Sequence, residues 1–152
     1  MESVFKKLNL KQQSEILVLN APKSFESELL NLTNVIIHDN AEEMNAIDFA
    51  LVFVITRDEV DTAVRKLVAK IKGDVTLWFA YPKGTSKKYQ SDISRDAGWG
   101  ALGEIGFEGV RLVAIDEDWS ALRFRRVEFI KSIVREPKRA LSLKGRARAL
   151  SK

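Results

Sequence analysis

The residues best suited to chemistry in this sequence lie in one short basic loop. Lys83 and Lys87 flank Gly84, Thr85 and Ser86, so two ammonium groups and two hydroxyl groups meet at a flexible turn. Cations and small hydrogen-bond donors at a turn can hold a phosphate or a carboxylate. The glycine and lysine spacing of a nucleotide-hydrolysing phosphate loop is absent. The loop therefore predicts a binding site for a small anion, with a solvated loop that binds nothing as the alternative.

Polar residues also follow the first two predicted strands. Asp39 comes directly after the second strand, where an acid in a nucleotide-binding fold accepts hydrogen bonds from a ribose. Asn20 ends the first strand at the same edge of the predicted sheet. His38 is the only histidine, which excludes a multi-histidine metal site, and no Gly-x-Ser-x-Gly motif accompanies it. We interpret Asn20 and Asp39 as candidate ligand-binding residues and His38 as a structural residue.

Three consecutive acids, Asp116, Glu117 and Asp118, could bind a divalent metal through their oxygen atoms. Adjacent acidic side chains diverge, so we expect a solvated turn instead, with Trp119 and Arg126 fixing the following hairpin to the sheet. The sequence has no cysteine, which excludes thiolate nucleophiles, disulfides and cysteine-ligated metal sites. We predict no catalytic residue and no metal site.

The positive charge of the chain is concentrated near its end. Residues 131–152 hold eight basic residues and one acid, a net charge of +7, which leaves −3 for residues 1–130. A mildly acidic body is not typical of a nucleic-acid-binding fold. The segment also has no aromatic residue after Phe129 that could stack on bases. We predict an α/β domain at 1–130 and a basic tail at 131–152 that is disordered or loosely helical, and we do not favour nucleic-acid binding.

The sequence also predicts a cytoplasmic location. Residues 1–13 mix lysines with scattered apolar residues and lack the apolar core of a signal peptide. The longest nearly uncharged apolar run, Phe49–Ile55, is far shorter than the roughly 20 residues that cross a bilayer. The absence of cysteine fits a reducing compartment. Assembly with a second copy stays open, through the apolar residues of the tail, which are Val134, Leu141, Leu143 and Leu150.

Six segments have the length and composition of β-strands. One of them, Asp48–Ile55, has apolar residues that do not alternate with polar ones, which predicts a central strand covered on both faces. In chain order the six segments are Glu15–Leu19, Val35–His38, Asp48–Ile55, Val75–Tyr81, Gly109–Asp116 and Trp119–Val127.

Three helices are predicted between these strands. Ser24 is expected to cap the first helix. Thr56 or Asp58 is expected to cap the second, and Gly73 to end it. The third prediction covers Ser91–Leu102 and is interrupted by glycines.

The alternation of strands and helices defines the fold class. Strand–helix–strand units with right-handed crossovers build a mostly parallel sheet with helices on both faces. Only two residues separate the last two strands, so these form an antiparallel hairpin. We therefore predict a three-layer, Rossmann-like α/β fold. Its six-stranded, mostly parallel sheet has the order 2-1-3-4-6-5, with the last strand antiparallel.

The layout resembles a reduced class I methyltransferase over residues 14–127. The segments that carry the resemblance are Asp48-Phe-Ala-Leu-Val, Gly73-Asp-Val-Thr-Leu-Trp, and Gly106-Phe107 before the terminal hairpin. The resemblance implies a fold that binds S-adenosylmethionine at a glycine-rich turn after the first strand. Here that turn is Asn20-Ala-Pro-Lys23, which has no glycine, and its proline has no N–H to donate. We therefore predict no cofactor, with S-adenosylmethionine as the less favoured alternative.

The chain also resembles a bacterial family that is known only as a domain of unknown function. Three segments carry this resemblance, the last of them long and specific. They are Leu19-Asn-Ala-Pro22, Trp78-Phe-Ala-Tyr-Pro-Lys83 and the hairpin Ala114-Ile-Asp-Glu-Asp-Trp-Ser-Ala-Leu-Arg-Phe-Arg-Arg126. The resemblance implies the fold and no agreed activity.

Three hypotheses for function follow from these observations. The leading one is a domain without demonstrable catalysis that binds a small anion or a protein partner at the carboxyl ends of its strands. The alternative is a diverged S-adenosylmethionine-dependent methyltransferase, and the third is nucleic-acid binding through the basic tail. The predicted ligand-binding residues are Asn20, Asp39, Lys83, Gly84, Thr85, Ser86 and Lys87.

Overall fold

The computed structural model describes residues 3–130, which form one six-stranded sheet with helices on both faces. The strands are β1 (Glu15–Leu19), β2 (Ile36–His38), β3 (Ile47–Phe53), β4 (Ile71–Pro82), β5 (Phe107–Ala114) and β6 (Trp119–Arg126). The α-helices are α1 (Val4–Lys7), α2 (Glu26–Leu30), α3 (Arg57–Leu67) and α4 (Gly100–Glu104). Short 3-10 turns lie at Lys23–Phe25, Ala41–Glu43 and Val127–Phe129.

The order of the strands is β2-β1-β3-β4-β6-β5. β2, β1, β3 and β4 pair in parallel, whereas β6 pairs antiparallel with both β4 and β5. The predicted fold class, strand order and antiparallel last strand are therefore confirmed. The chain moves outward from β1 to β2 and then returns to the other side of β1 for β3, so the direction of winding reverses between β1 and β3.

An apolar cluster covers each face of the sheet. On one side, which we call the α3 face, α3 contributes the buried residues Val60 and Val64, and the segment that leads into α4 contributes Trp99. On the other side, the α1 face, Phe5 of α1 contacts Phe25 from the turn before α2, with ring centroids 5.6 Å apart. β3 contributes alternate residues to both clusters. This double burial explains why its sequence is apolar from Phe49 to Phe53.

The start of α3 is fixed by a reciprocal pair of hydrogen bonds. The hydroxyl of Thr56 accepts a hydrogen bond from the backbone N–H of Glu59 at 3.2 Å. The carboxylate of Glu59 in turn accepts the backbone N–H of Thr56 at 3.0 Å. Of the two predicted caps, Thr56 is therefore the one that the structure uses, and Asp58 lies inside the first turn.

The predicted end of this helix at Gly73 is wrong. α3 ends at Leu67, and β4 already begins at Ile71. Gly73 lies inside β4 with a φ of +59°, close to a shift in the register between β3 and β4. The glycine therefore marks an irregularity within a strand rather than the end of a helix.

The cap of the first predicted helix and the start of the third are also wrong. Ser24 does not cap a helix but lies inside the 3-10 turn Lys23–Phe25, and the short α2 that follows leaves Leu30 largely exposed. The segment Ser91–Leu102 is irregular until α4 begins, and Gly98 within it has a φ of +103°. Backbone in this region is incompatible with a right-handed helix, so the chain can turn there but cannot continue helically.

The α1 helix was not among the predicted elements, yet it belongs to the core. Ser3 caps it by accepting the backbone N–H of Lys6 at 3.3 Å, and Val4, Phe5 and Leu8 are buried against the α1 face. The indole N–H of Trp78 in β4 donates to the carbonyl of Leu8 at 2.8 Å. A residue of the fourth strand therefore anchors the first helix.

The predicted basic tail at 131–152 lies outside the described residues, and so do the expectations that depend on it. Within residues 3–130, none of the helices is both long enough and apolar enough to cross a membrane.

Candidate functional site

The reversal of winding between β1 and β3 creates the main crevice of the fold. The connection after β1 runs over the α1 face, and α3, which follows β3, covers the opposite face. In open α/β sheets, ligands bind outside the carboxyl ends of the strands at such a switch point. The residues that follow β1, β2 and β3 are therefore the first place to look for a site.

Asn20 supplies the turn after β1 that a glycine would otherwise make. Its φ is +60°, in the left-handed region where asparagine is one of the few tolerated residues. Its side-chain amide donates to the carbonyl of Phe53, at the end of β3, at 3.3 Å. The side chain thus spans the crevice between β1 and β3. Asn20 therefore adopts the backbone conformation that a glycine would adopt, but its side chain fills space that a glycine would leave open.

A groove of about 670 Å³ opens beside this turn, on the side of the sheet that α3 covers. One wall is the segment after β2, and the other wall is one side of α3. Both Asn20 and Asp39, which the sequence predicted as ligand-binding residues, line it. The lining residues are Leu19, Asn20, Asp39, Asn40, Ala41, Asp58, Glu59, Thr62, Ala63 and Lys66.

The helical wall of the groove presents polar and charged side chains at regular spacing. Asp58, Thr62 and Lys66 are four residues apart, so they share one side of α3 and extend along about 12 Å of it. Glu59 is already occupied, because its carboxylate accepts backbone hydrogen bonds at the cap, including Ile55 N–H at 2.7 Å. Sequence reasoning missed this wall, although the spacing of its polar residues could have revealed it.

The segment after β2 is held rigidly as the opposite wall. The Asn40 side chain caps the 3-10 turn Ala41–Glu43 by accepting the N–H of Glu42 at 3.0 Å. The ammonium of Lys70 donates to the carbonyls of Ala41 and Met44, at 2.6 and 2.8 Å. Asp39 is exposed immediately before this anchored turn, so its carboxylate is free to meet a ligand in the groove.

His38 supports this wall from the other side of the strand. Its Nε2 lies 2.8 Å from a carboxylate oxygen of Glu15 in β1, and its Nδ1 lies 3.6 Å from Glu43. The hydrogen bond to Glu15, with a smaller contribution from Glu43, raises the pKa of His38. The histidine therefore links β1, β2 and the turn after β2, in agreement with the structural role that the sequence suggested.

The predicted basic loop lies apart from the groove, at the end of β4. β4 is two strands from β1, about 10 Å away at the usual strand spacing. The loop is organised by Ser86, whose hydroxyl donates to the carboxylate of Asp118 at 2.8 Å and accepts the backbone N–H of Lys88 and of Tyr89, each at 3.2 Å. Tyr89 then packs on Trp119. The structure thus divides the predicted site residues between two places.

Gly84, Thr85 and Lys87 are exposed in this loop, and Lys83 is partly covered. The backbone N–H of Lys83 donates to the carbonyl of Asp118 at 2.8 Å, which fixes the start of the loop. The loop is therefore a shaped turn with exposed ammonium groups, and ligand binding there stays a prediction.

The chain after this loop crosses the carboxyl edge of the sheet from the α1 face to the α3 face. Its crossing segment is tied down where β3 meets α3. The hydroxyl of Ser91 donates to the carbonyl of Ile55, and the carboxylate of Asp92 accepts the backbone N–H of Arg57 at 2.9 Å. The Arg57 guanidinium returns a hydrogen bond to the carbonyl of Asp92 at 3.1 Å. Sequence reasoning placed a helix here and missed this strap, Ser91–Asp92, because its contacts are with distant residues.

The acidic turn between β5 and β6 has a structural use. The Asp116 carboxylate accepts hydrogen bonds from the backbone N–H groups of Asp118 and Trp119 at 2.8 and 2.9 Å. The Asp118 carboxylate accepts a hydrogen bond from the hydroxyl of Ser86. No group of side chains within residues 3–130 has the arrangement of a metal site. At the far end of the hairpin, Arg126 donates to the carbonyls of Ile71 and Gly73, which fastens β6 to the start of β4.

No protein-family model and no curated protein matches this chain. Membership of the bacterial family of unknown function therefore stays a prediction from the sequence motifs.

Solved structures do match the chain. An S-adenosylmethionine-dependent methyltransferase from Aquifex aeolicus aligns with a TM-score of 0.53 and 14% identity, over 82% of this chain and 88% of that one. A proposed type 11 methyltransferase from Sulfolobus solfataricus aligns with a TM-score of 0.47 and 11% identity, over 74% of this chain and 84% of that one. A protein of the NADB-Rossmann superfamily from Streptococcus agalactiae aligns with a TM-score of 0.42 and 11% identity, over 83% of this chain and 68% of that one. At these identities the first match shows a shared Rossmann-like, methyltransferase-like fold.

Proposed function

We propose that this chain is a diverged S-adenosylmethionine-dependent methyltransferase that binds its cofactor in the groove beside Asn20. The observation that carries the proposal is an open, charged groove at the switch point of a methyltransferase-like sheet, with Asp39 directly after β2. Of the hypotheses that the sequence left open, this was the alternative. We prefer it because the basic loop, on which the anion-binding hypothesis relied, lies outside the groove.

The groove suits a nucleoside that carries a charged tail. Its volume of about 670 Å³ lies within the usual range for ligand sites, roughly 300–1,000 Å³. Asp39 would accept hydrogen bonds from the ribose hydroxyls. Asp58 and Lys66 offer one anion and one cation on the same side of α3, which complements a ligand that carries both charges.

The turn after β1 is the feature that fits least well. A side chain occupies the position where a glycine would let the backbone approach a ligand, and Pro22 has no N–H to donate. Because the Asn20 amide spans the crevice, the cofactor would rest on the turn through side-chain contacts. We therefore expect binding that is weaker than a glycine-rich turn would allow.

The bound cofactor would supply an electrophilic methyl group on its sulfonium. The chain's own residues would bind and orient it. Asp39 would bind the ribose, and the two walls of the groove, formed by α3 and by the turn after β2, would hold the rest of the cofactor. Lys70 and His38 would keep the second wall in place through the contacts described above.

Calorimetry with S-adenosylhomocysteine, the product form of the cofactor, tests the proposal. We expect saturable binding at micromolar to millimolar ligand, and a loss of about tenfold or more in Asp39→Asn, which removes a charged acceptor. Asp48→Asn is the matched control, because Asp48 is an exposed aspartate of β3 on the opposite edge of the sheet. No heat of binding at millimolar ligand, or equal losses in the two variants, would overturn the proposal.

A further inference from the structure

We propose that the lysines beside the crevice on the α1 face bind the phosphate group of a small phosphorylated acceptor. The inference rests on the proposed function only for the role of that ligand as acceptor. The residues are Lys23 in the turn after β1 and Lys83, Lys87 and Lys88 in the loop after β4. We call these four residues the lysine rim.

Two separate loops bring the lysine rim to one side of the carboxyl edge. Lys23 opens the 3-10 turn whose Phe25 packs on Phe53, with ring centroids 5.0 Å apart. The loop after β4 is seated through Tyr89 on Trp119, and Trp119 packs on the same Phe53 at 5.1 Å. Both loops therefore rest on one aromatic row of the α1 face, which includes Phe53 at the end of β3 and so borders the crevice.

The loop after β4 uses one of its cations, since the Lys88 ammonium lies 5.6 Å from the centroid of the Tyr89 ring, and is otherwise ordered without them. Its hydrogen bonds run from backbone groups and from the hydroxyl of Ser86, as described above. The ammonium groups of Lys83 and Lys87 form no ion pair with any acid among residues 3–130. The backbone N–H groups of Gly84 and Thr85 likewise have no acceptor within the described part of the chain. The loop thus holds donors in place that its own structure does not consume.

The acids closest in the fold do not cancel this arrangement. Asp116 and Asp118 belong to the turn on which the loop rests, but their carboxylates accept hydrogen bonds from the backbone and from Ser86. Glu117 is exposed and makes no ion pair with a lysine of the rim. None of these three acids pairs with a lysine of the rim, and two of them already accept hydrogen bonds from other groups.

The type of cation favours phosphate over carboxylate. A planar carboxylate is matched best by the planar fork of an arginine, whereas lysines bind phosphate as separate point charges. The lysine rim contains four lysines and no arginine. The strap Ser91–Asp92 borders the same edge above β3, so a phosphate on the rim would hold the rest of its molecule along the carboxyl edge of the sheet.

Amide chemical shifts measured by NMR test this inference on the full chain, with inorganic phosphate as the probe at constant ionic strength. We expect phosphate to shift the amides of Gly84, Thr85 and Lys87, and acetate at the same ionic strength to leave them nearly unchanged. Lys87→Ala should weaken phosphate binding about five- to tenfold, as for the loss of one exposed charge-assisted contact. Lys72→Ala, an exposed lysine at the opposite end of β4, is the matched control.

A second titration, with S-adenosylhomocysteine, separates this inference from the proposed function. Shifts at Asn20 and Asp39 with that ligand, but none in the loop with phosphate, would overturn the phosphate site and leave the proposed function intact. Loop shifts with phosphate, but none at Asn20 with the nucleoside, would remove the acceptor role and support an isolated anion site. Equal responses to acetate and phosphate, or equal weakening in Lys87→Ala and Lys72→Ala, would refute the site itself.

Discussion

The turn at Asn20 allows the cost of a substitution to be worked out from the backbone. Asn20→Ala would place an ordinary side chain at a φ of +60°, which costs roughly 1–2 kcal/mol. It would also remove the hydrogen bond to Phe53, worth about 0.5–1.5 kcal/mol. Asn20→Gly loses the same hydrogen bond but tolerates the left-handed backbone. We therefore expect alanine to lower the free energy of unfolding by about 2–3 kcal/mol and glycine by about 1 kcal/mol or less.

Urea denaturation of the three proteins, followed by circular dichroism, measures this difference. The dependence of the free energy on urea should be the same in all three, since the substitutions change no large surface. Glycine should also bind S-adenosylhomocysteine at least as tightly as asparagine does, because the crevice loses the side chain that spans it. Equal stabilities of the alanine and glycine variants would show that the left-handed backbone is not what Asn20 is needed for.

Two further predictions concern the supports of the site. Trp78→Phe should lower the free energy of unfolding by about 2–3 kcal/mol, because the Leu8 carbonyl loses its buried partner; thermal and urea denaturation check this, and an unchanged stability would contradict the docking of α1. His38 stabilises the fold when it is protonated, since Glu15 raises its pKa above the ordinary 6.5. The difference in stability between the wild type and His38→Gln should be largest below pH 6.5 and decline as the pH rises through the raised pKa. A difference that does not change with pH would contradict this role, and no other histidine confuses the measurement.

The strands of the sheet were predicted well from the sequence because a strand that is buried on both faces has a continuous apolar run. The run Phe49–Phe53 is apolar on both faces and too short for a buried helix, which indicates a central strand. The helix ends were predicted less well where a long-range contact decided them. Gly73 has the residue type of a helix stop, but it lies inside β4, where the pairing with β3 is interrupted. Ser24 has the residue type of a cap, but the turn is set by Phe25, which is buried against Phe53.

The candidate site was predicted only in part, for a related reason. Asp39 and Asn20 were identified because the ends of strands are visible in the sequence, and the structure brings both to one groove. Lys83 was expected beside them, yet β4 lies two strands away and its loop turns to the α1 face. The face that α3 presents to the groove, with Asp58 and Lys66, depends on how the helix is rotated on the sheet.

The position of β6 has a consequence for the synthesis of the chain. β6 is the last of the six strands in sequence, but it lies inside the sheet, between β4 and β5. Until Arg126 has emerged from the ribosome, β4 and β5 each present an unpaired edge, and the hydrogen bonds of Arg126 to the start of β4 cannot form. The nascent domain therefore leaves these strand edges open to other chains until β6 pairs with both β4 and β5, and this pairing completes the sheet.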